Sequence, residues 1–365
     1  MEIRQISDLH DFENLRDPWN KLLPQNPVQD IFYTWEWLFA WWKHHKKDCE
    51  LWLITAWRSD ELVGIAPLML IERRKYGLKL RVLCNIGTPD VDVGGFIVQN
   101  GDPQIYTAVG NYLIGQKRLW DVLELNEIHC DGPETRLLIH QLEISGYVTY
   151  QKDNRHYYLP IQGEWEGYLN RLPSKFHREI RSKVRKIEEQ SRLTLEHHIG
   201  KEVSWQDIST IFEINEYGHF PHMYRSTEER AFQREIFDLM RDQGWLDIFL
   251  LSIDDQPVAY NYGFSYNHRF EDWRAGFRTQ YSDLSLGKIL YLMTIEDCFK
   301  RAFREIDFLC GDEHYKTRWQ TLERAYTQLR FIPRNRLASL AAYIWPPRLK
   351  ALLNARTTRK QITEN

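Results

Sequence analysis

The chain has 365 residues, which favours two domains over one. Its net charge of −3 gives no polyanion-binding signature to the whole, and 43% hydrophobic content is enough for packed cores. Five cysteines, none in a C-x-x-C pair, argue for a reducing compartment and against a disulfide framework or a thiolate zinc site.

Taken in order, Met1–Ile6 has strand character and no signal-segment pattern. No run of about 18 uncharged apolar residues occurs, so no spanning helix is expected and the reading is a soluble, cytoplasmic protein. Asp11–Leu23 reads as a short helix closed by Pro24 and Pro27. Phe32–Lys46 is a second helix, loaded with Trp35, Trp37, Leu38, Phe39, Trp41 and Trp42. A stripe this wide is ordinarily core rather than a ligand platform. Glu50–Trp57 and Leu62–Ile71 form a hairpin about Arg58–Glu61. Leu80–Ile86 is another strand, followed by a loop rich in Gly and Asp that carries Asp90 and Asp92. Then come a helix (Pro103–Gly115), a strand (Asp121–Asn126), a helix (Glu134–Gly146) and a strand (Val148–Leu159).

The second half repeats this order. Glu164–Leu172 and Ser174–Arg192 are helices, Leu193–Ile199 a strand, and Trp205–Glu216 and Thr227–Gln243 helices. Strands follow at Trp245–Ile253, Gln256–Tyr266 and Phe270–Arg278. A helix opens at Ser285 and Gly287 and runs to about Arg304, and Ile306–Cys310 is a short strand ending on Gly311 and Asp312. Ala325–Pro333 is a last strand. The tandem plan predicts domains over 1–160 and 161–334, with a basic, partly helical tail over 335–365.

Two stretches carry chemistry. A loop with Ser285, Gly287 and Lys288 at a helix start can hold a pyrophosphate, because the first helical amides lack intrahelical partners. The plain alternative is an ordinary Ser N-cap. The helix Ser174–Arg192 carries Lys175, Arg178, Arg181, Lys183, Arg185, Lys186 and Arg192. A solvated face is the default, and contact with phosphates or RNA is the functional alternative. The adjacent pairs His44-His45 and His197-His198 point apart, so no metal site is expected.

The chain resembles the CelD/BcsL-type acyltransferases of the GNAT superfamily, a tandem-GNAT group related to the FemABX peptidyltransferases. The resemblance rests on Thr34-Trp35-Glu36-Trp37 with Trp41-Trp42, the Leu62–Leu68 hairpin strand, Asp90 and Asp92, and the basic helix. It continues through Ser285-Leu286-Gly287 to Gly311-Asp312-Glu313-His314-Tyr315-Lys316 with Trp319. It implies an α/β (α+β) fold of two tandem GNAT-like domains, each a mixed, mostly antiparallel sheet flanked by helices. It implies acyl transfer from acyl-coenzyme A to an amine or hydroxyl, with a small or saccharide-linked acceptor. Ser285, Leu286, Gly287 and Lys288 would bind the donor. The usual GNAT loop has a basic residue or Gln, then Gly-x-Gly or Gly-x-Ala. Here one Gly remains, and Asp283 lies close to the phosphate position.

Acyl transfer needs a base for the acceptor, polarisation of the carbonyl, an acid for the thiolate and alignment. Asp312 and Glu313 are candidate bases, with His314 as an alternative. The resemblance makes Tyr315 the acid for the thiolate, and Lys316 could pair with an acid or hold the acceptor. Helix capping and a surface ion pair are the structural alternative. Asp90, Asp92, Trp37 and Arg178 are acceptor-side candidates. Neither DNA nor a metal is expected. Aminoacyl transfer from charged tRNA and a non-catalytic binding protein are the rival functions.

Overall fold

The structure is a computed structural model and describes residues 1–89, 91–130, 132–311 and 314–343. They form two compact units, one of residues 1–42, 46–154 and 326–343, the other of residues 43–45 and 155–325. In chain order the first half contains β1 (Glu2–Ile6), α1 (Leu9–Asn14), α2 (Arg16–Leu22), α3 (Trp35–His45), β2 (Cys49–Arg58), β3 (Glu61–Lys75) and β4 (Leu78–Asn85). It continues with β5 (Ile97–Val98), α4 (Pro103–Gly115), β6 (Val122–His129), α5 (Pro133–Ile144) and β7 (Tyr147–Pro160). The second half contains α6 (Trp165–Arg171), α7 (Ser174–Glu188), β8 (Leu193–Ile199), α8 (Trp205–Glu216), α9 (Thr227–Arg241), β9 (Leu246–Ile253) and β10 (Gln256–Tyr266). It ends with β11 (Arg269–Phe277), α10 (Leu286–Lys300), β12 (Glu305–Cys310), α11 (His314–Thr317), β13 (Leu322–Pro333) and α12 (Leu337–Tyr343).

Both halves follow one plan. A strand and helices lead into a three-stranded antiparallel meander, β2-β3-β4 or β9-β10-β11. A crossover helix, α4 or α10, then delivers a parallel strand, β6 beside β4 or β12 beside β11. Sharp turns set the registers. Asp254 and Asp255 have φ of 48° and 64°, and Ile253 faces Gln256 across them. Asn267 and His268 have φ of 47° and 58°, with Tyr266 facing Arg269. Both are two-residue hairpins of the kind that matches strand twist, built from residue types that tolerate positive φ.

The last strand of each repeat pairs away from its own half. β13 runs antiparallel to β6, so residues from Tyr326 on belong to the first unit. Residues 156–160 of β7 pair antiparallel with β12 in the second unit. The sequence-based boundaries at 160 and 334 therefore differ from the compact units, because sheet pairing rather than chain order decides the grouping.

Each unit has its own core. In the first, Ile54, Val63, Leu83, Leu123, Phe331 and the α4 face (Ile105, Val109, Leu113) pack together. In the second, Phe249, Leu251, Phe270, Ile289 and Ile306 pack with Phe176, Ile180 and Ile187 of α7. Those three positions recur at helical spacing, which turns the basic side of α7 outward.

The expected helix over 11–23 is two helices. Pro18 has no N–H to donate back to Asn14, so α1 stops and α2 starts with Pro18 in its first turn. The helix expected to reach 304 ends at Lys300, where Ala302 adopts φ 52° and Phe303 N–H donates to Cys298 O at 3.1 Å. Among the described residues, no helix is long and apolar enough to cross a membrane.

Candidate active site

The site grows from one irregularity in the second unit's sheet. β11 and β12 pair in parallel over three positions only, Arg269–Glu271 against Glu305–Asp307. β11 continues to Phe277 and β12 to Cys310, so pairing stops where both strands continue. A cavity of about 350 Å³ opens against this part of β11, lined by Ala275, Gly276 and Phe277. Asn261 of β10, Tyr291 of α10 and Tyr315 of α11 also line it.

One end of the cavity is the start of α10. Ser285 precedes the helix in the left-handed region at φ 57°, and its side chain makes no capping hydrogen bond. Ser285, Gly287 and Lys288 all line the cavity. A Cβ placed on Gly287 would meet only the Phe277 ring, at 3.9 Å, so glycine keeps the backbone open to a close approach. Leu286 is fully buried and anchors the turn in the core. Lys288 Nζ donates to Glu179 of α7 at 2.5 Å, and Lys183 Nζ donates to the backbone carbonyl of Asp283 at 2.6 Å. Asp283 is exposed. Arg318 is a second cation, beside Lys288, at the cavity wall.

The first unit treats the same position differently. Asp102 caps α4, accepting from Gln104 N–H at 2.9 Å, and Arg58 pairs with it. That helix start already holds an anion. Beside β6, Gly94 N–H donates to Glu127 O at 2.9 Å, and Tyr33 hydroxyl donates to Gly94 O at 2.7 Å. A Cβ on Gly94 would lie 2.3 Å from Asn126 O, so only glycine allows the loop to lie this close to β6. The edge of β6 beyond its pairing with β4 is thus covered by the chain's own backbone.

The floor of the second unit's cavity is polar and buried. Tyr291 hydroxyl donates to Asp272 Oδ2 at 2.6 Å and lies 3.3 Å from Tyr315 hydroxyl. The two tyrosine rings stack at 5.5 Å. Burial pushes the Asp272 carboxyl up to about 6, against the hydrogen bond from Tyr291 and the positive charge of Lys316. Burial together with the neighbouring carboxylate raises the Tyr291 hydroxyl well above its usual range. Asn261 is fully buried, and its Oδ1 has no hydrogen-bond partner.

The fold thus brings Ser285, Gly287, Lys288 and Tyr315 around one cavity. Lys316 is buried, and its ammonium donates to Cys310 O at 2.9 Å. Arg178 is exposed on α7 and donates to Ser174 O at 3.2 Å. Trp37 is buried in the first unit, edge-on to Phe32, and Asp92 sits in the loop that also carries Gly94. Asp90, Asp312 and Glu313 lie outside the described residues. Asp272, Tyr291, Asn261 and Arg318 were not singled out in the sequence. The available signal was the adjacent acids Glu271 and Asp272 inside the strand-like stretch Phe270–Phe277.

A family model described as "Acetyltransferase (GNAT) domain" matches residues 174–317, from α7 through α11. Residues 174–317 have the GNAT fold. Solved structures agree with this. FemX superposes with a TM-score of 0.62 at 11% identity, covering 93% of this chain and 99% of FemX. A conserved protein of unknown function from Bacteroides thetaiotaomicron gives 0.55 at 12% identity, covering 91% and 99%. A tandem GNAT protein from the clavulanic acid biosynthesis pathway gives 0.51 at 11% identity, covering 90% and 98%. These likenesses concern the fold, which is a tandem GNAT-like arrangement of mixed, mostly antiparallel sheets flanked by helices. No curated protein matches the chain.

Proposed function

We propose that the protein is an acyl-coenzyme A-dependent N- or O-acyltransferase of the CelD/BcsL type whose donor site is the cavity of the second unit. The observation that carries this reading is the convergence of an uncapped α10 start, a diverging strand edge and the Tyr315 hydroxyl on one cavity. The α10 amides, with Lys288, Lys183 and Arg318 near them, suit the donor's phosphates. The β11 edge beyond Glu271 suits its amide-bearing arm, since an extended amide chain can add to a strand edge. The acceptor is a small or saccharide-linked amine or alcohol.

The reaction joins the acceptor's nitrogen or oxygen to the acyl carbon and breaks the carbon–sulfur bond. Tyr315 is the acid that protonates the departing thiolate. The first unit holds no second donor, because Asp102 occupies its helix start and the Gly94 loop covers β6.

Calorimetric titration with acetyl-coenzyme A, longer acyl-coenzyme A species and free coenzyme A tests the donor. Micromolar binding is expected. No heat with any of them would overturn the reading.

A second reading, aminoacyl transfer from charged tRNA, draws on the exposed cations Arg178, Arg181, Arg185 and Lys186 of α7. It predicts RNA binding that falls steeply as salt rises. Salt-insensitive or absent RNA binding excludes it.

A further inference from the structure

Asp272 lies behind the cavity wall, 7% exposed, at the end of a chain of hydroxyls that reaches the cavity. Its Oδ2 accepts from Tyr291, and Tyr291 hydroxyl lies 3.3 Å from that of Tyr315. Tyr315 is 38% exposed and lines the cavity. With Asp272 ionised, hydrogen bonding sets a direction. Tyr291 gives its proton to the carboxylate, Tyr315 gives its proton toward Tyr291, and a lone pair of Tyr315 is turned to the cavity.

Resting on the function proposed above, we propose that Asp272, Tyr291 and Tyr315 form a proton relay that takes the acceptor's proton and returns it to the thiolate. The balance closes. As the acceptor attacks the acyl carbon, its N–H or O–H proton passes to Tyr315 oxygen, the Tyr315 proton to Tyr291 oxygen, and the Tyr291 proton to Asp272. When the carbon–sulfur bond breaks, the same three transfers run backward and the proton ends on sulfur. No external base, oxidant or metal enters. Tyr315 alone touches the reacting atoms; Asp272 and Tyr291 act through it.

The surroundings suit a carboxyl that alternates between its two states. From β10, the neighbouring Asn261 amide favours the ionised form of Asp272. From α11, the Lys316 ammonium favours it too, while Asp307 on β12 and burial oppose it. Opposed influences leave the carboxyl close to neutrality, where a relay can both take and give a proton. The neighbouring carboxylates do not share this setting. Asp307 accepts from Arg324 at 3.0 Å, and Glu271 is paired with Arg269. Asp272 also has an oxygen, Oδ1, with no hydrogen-bond partner.

Two measurements on the full chain test the relay. The first needs no turnover. An infrared pH titration should show a protonated-carboxyl band that is lost in Asp272→Asn and titrates near pH 6 in the wild type. Tyr315→Phe, a change at the cavity wall, should shift that midpoint. No band assignable to Asp272, or a midpoint unmoved by Tyr315→Phe, overturns the relay.

The second follows thiol release from acetyl-coenzyme A with hydroxylamine as a small nucleophile. Tyr291→Phe should lower the turnover rate by about 100-fold while donor affinity holds. Donor binding with full turnover in Tyr291→Phe overturns the relay. If acetyl-coenzyme A fails to bind at all, the donor reading falls, and the infrared titration still decides the relay.

Discussion

The Tyr291 hydroxyl sits between a buried carboxylate and the cavity, 2.6 Å from Asp272 and 3.3 Å from the Tyr315 hydroxyl. This contact links β11, α10 and α11, the three elements that meet where β11 and β12 part. It also gives Tyr315 a fixed neighbour, so the proposed acid is held in place before any ligand arrives. Tyr315→Phe removes only the hydroxyl and leaves the ring stacked on Tyr291. Turnover should fall by about 100-fold or more, with donor affinity unchanged. Steady-state kinetics alongside calorimetry checks this, and a variant that keeps full turnover would remove Tyr315 from the role of acid.

Gly287 faces open space apart from the Phe277 ring. Gly287→Trp should therefore fold normally while filling the approach to the α10 amides. Donor affinity should weaken by about 100-fold, about 2.7 kcal/mol. Thermal melting of the variant separates the two effects, since the melting temperature is expected to stay near that of the wild type.

The Lys316 ammonium is buried on the carbonyl of Cys310. Lys316→Met keeps the chain length and deletes the charged donor. It should destabilise the protein by about 1.5–3 kcal/mol in urea unfolding, the usual scale for a hydrogen bond to a charged group. A variant as stable as wild type would show that this contact contributes little.

His197 stands between two carboxylates, with Nε2 2.7 Å from Asp247 and Nδ1 3.5 Å from Asp297. Burial opposes its charge, but the two acids win and raise it to about 9. The folded value lies above the ordinary 6.5, so the charged pairings stabilise the fold fully below about pH 6.5. That contribution is lost as pH rises through about 9. Melting temperature should drop over this window, and His197→Gln should flatten that part of the profile. An unchanged profile in the variant would assign the pH dependence to other groups.

One donor per chain is expected, because the first unit caps α4 with Asp102 and covers β6 with the Gly94 loop. Calorimetric stoichiometry reads this directly, and two donors per chain would contradict it.

Much of this fold was legible in the sequence. Asp254-Asp255 marked a hairpin, and Trp245–Ile253 marked a strand, which the structure has over Leu246–Ile253 with every residue buried. The repeated order of elements gave the tandem plan. Strand exchange was not legible. β13 follows the second repeat in the chain yet pairs with β6, and nothing in Leu322–Pro333 encodes the identity of a distant partner. At the site, Ser285, Gly287 and Lys288 were singled out from local pattern, and Tyr315 through the family resemblance; the fold brings all four to one cavity. Asp272 could not be singled out, because its character comes from Tyr291, Lys316 and Asn261, which reach it from three other elements.

Hydrogen exchange of the full chain, with and without saturating acetyl-coenzyme A, tests the donor site most directly. Binding in the second unit's cavity predicts slowed exchange at the α10 start, residues 286–290, and along β11, residues 272–277. No change in either segment, or protection confined to α4 and β6 of the first unit, would contradict it.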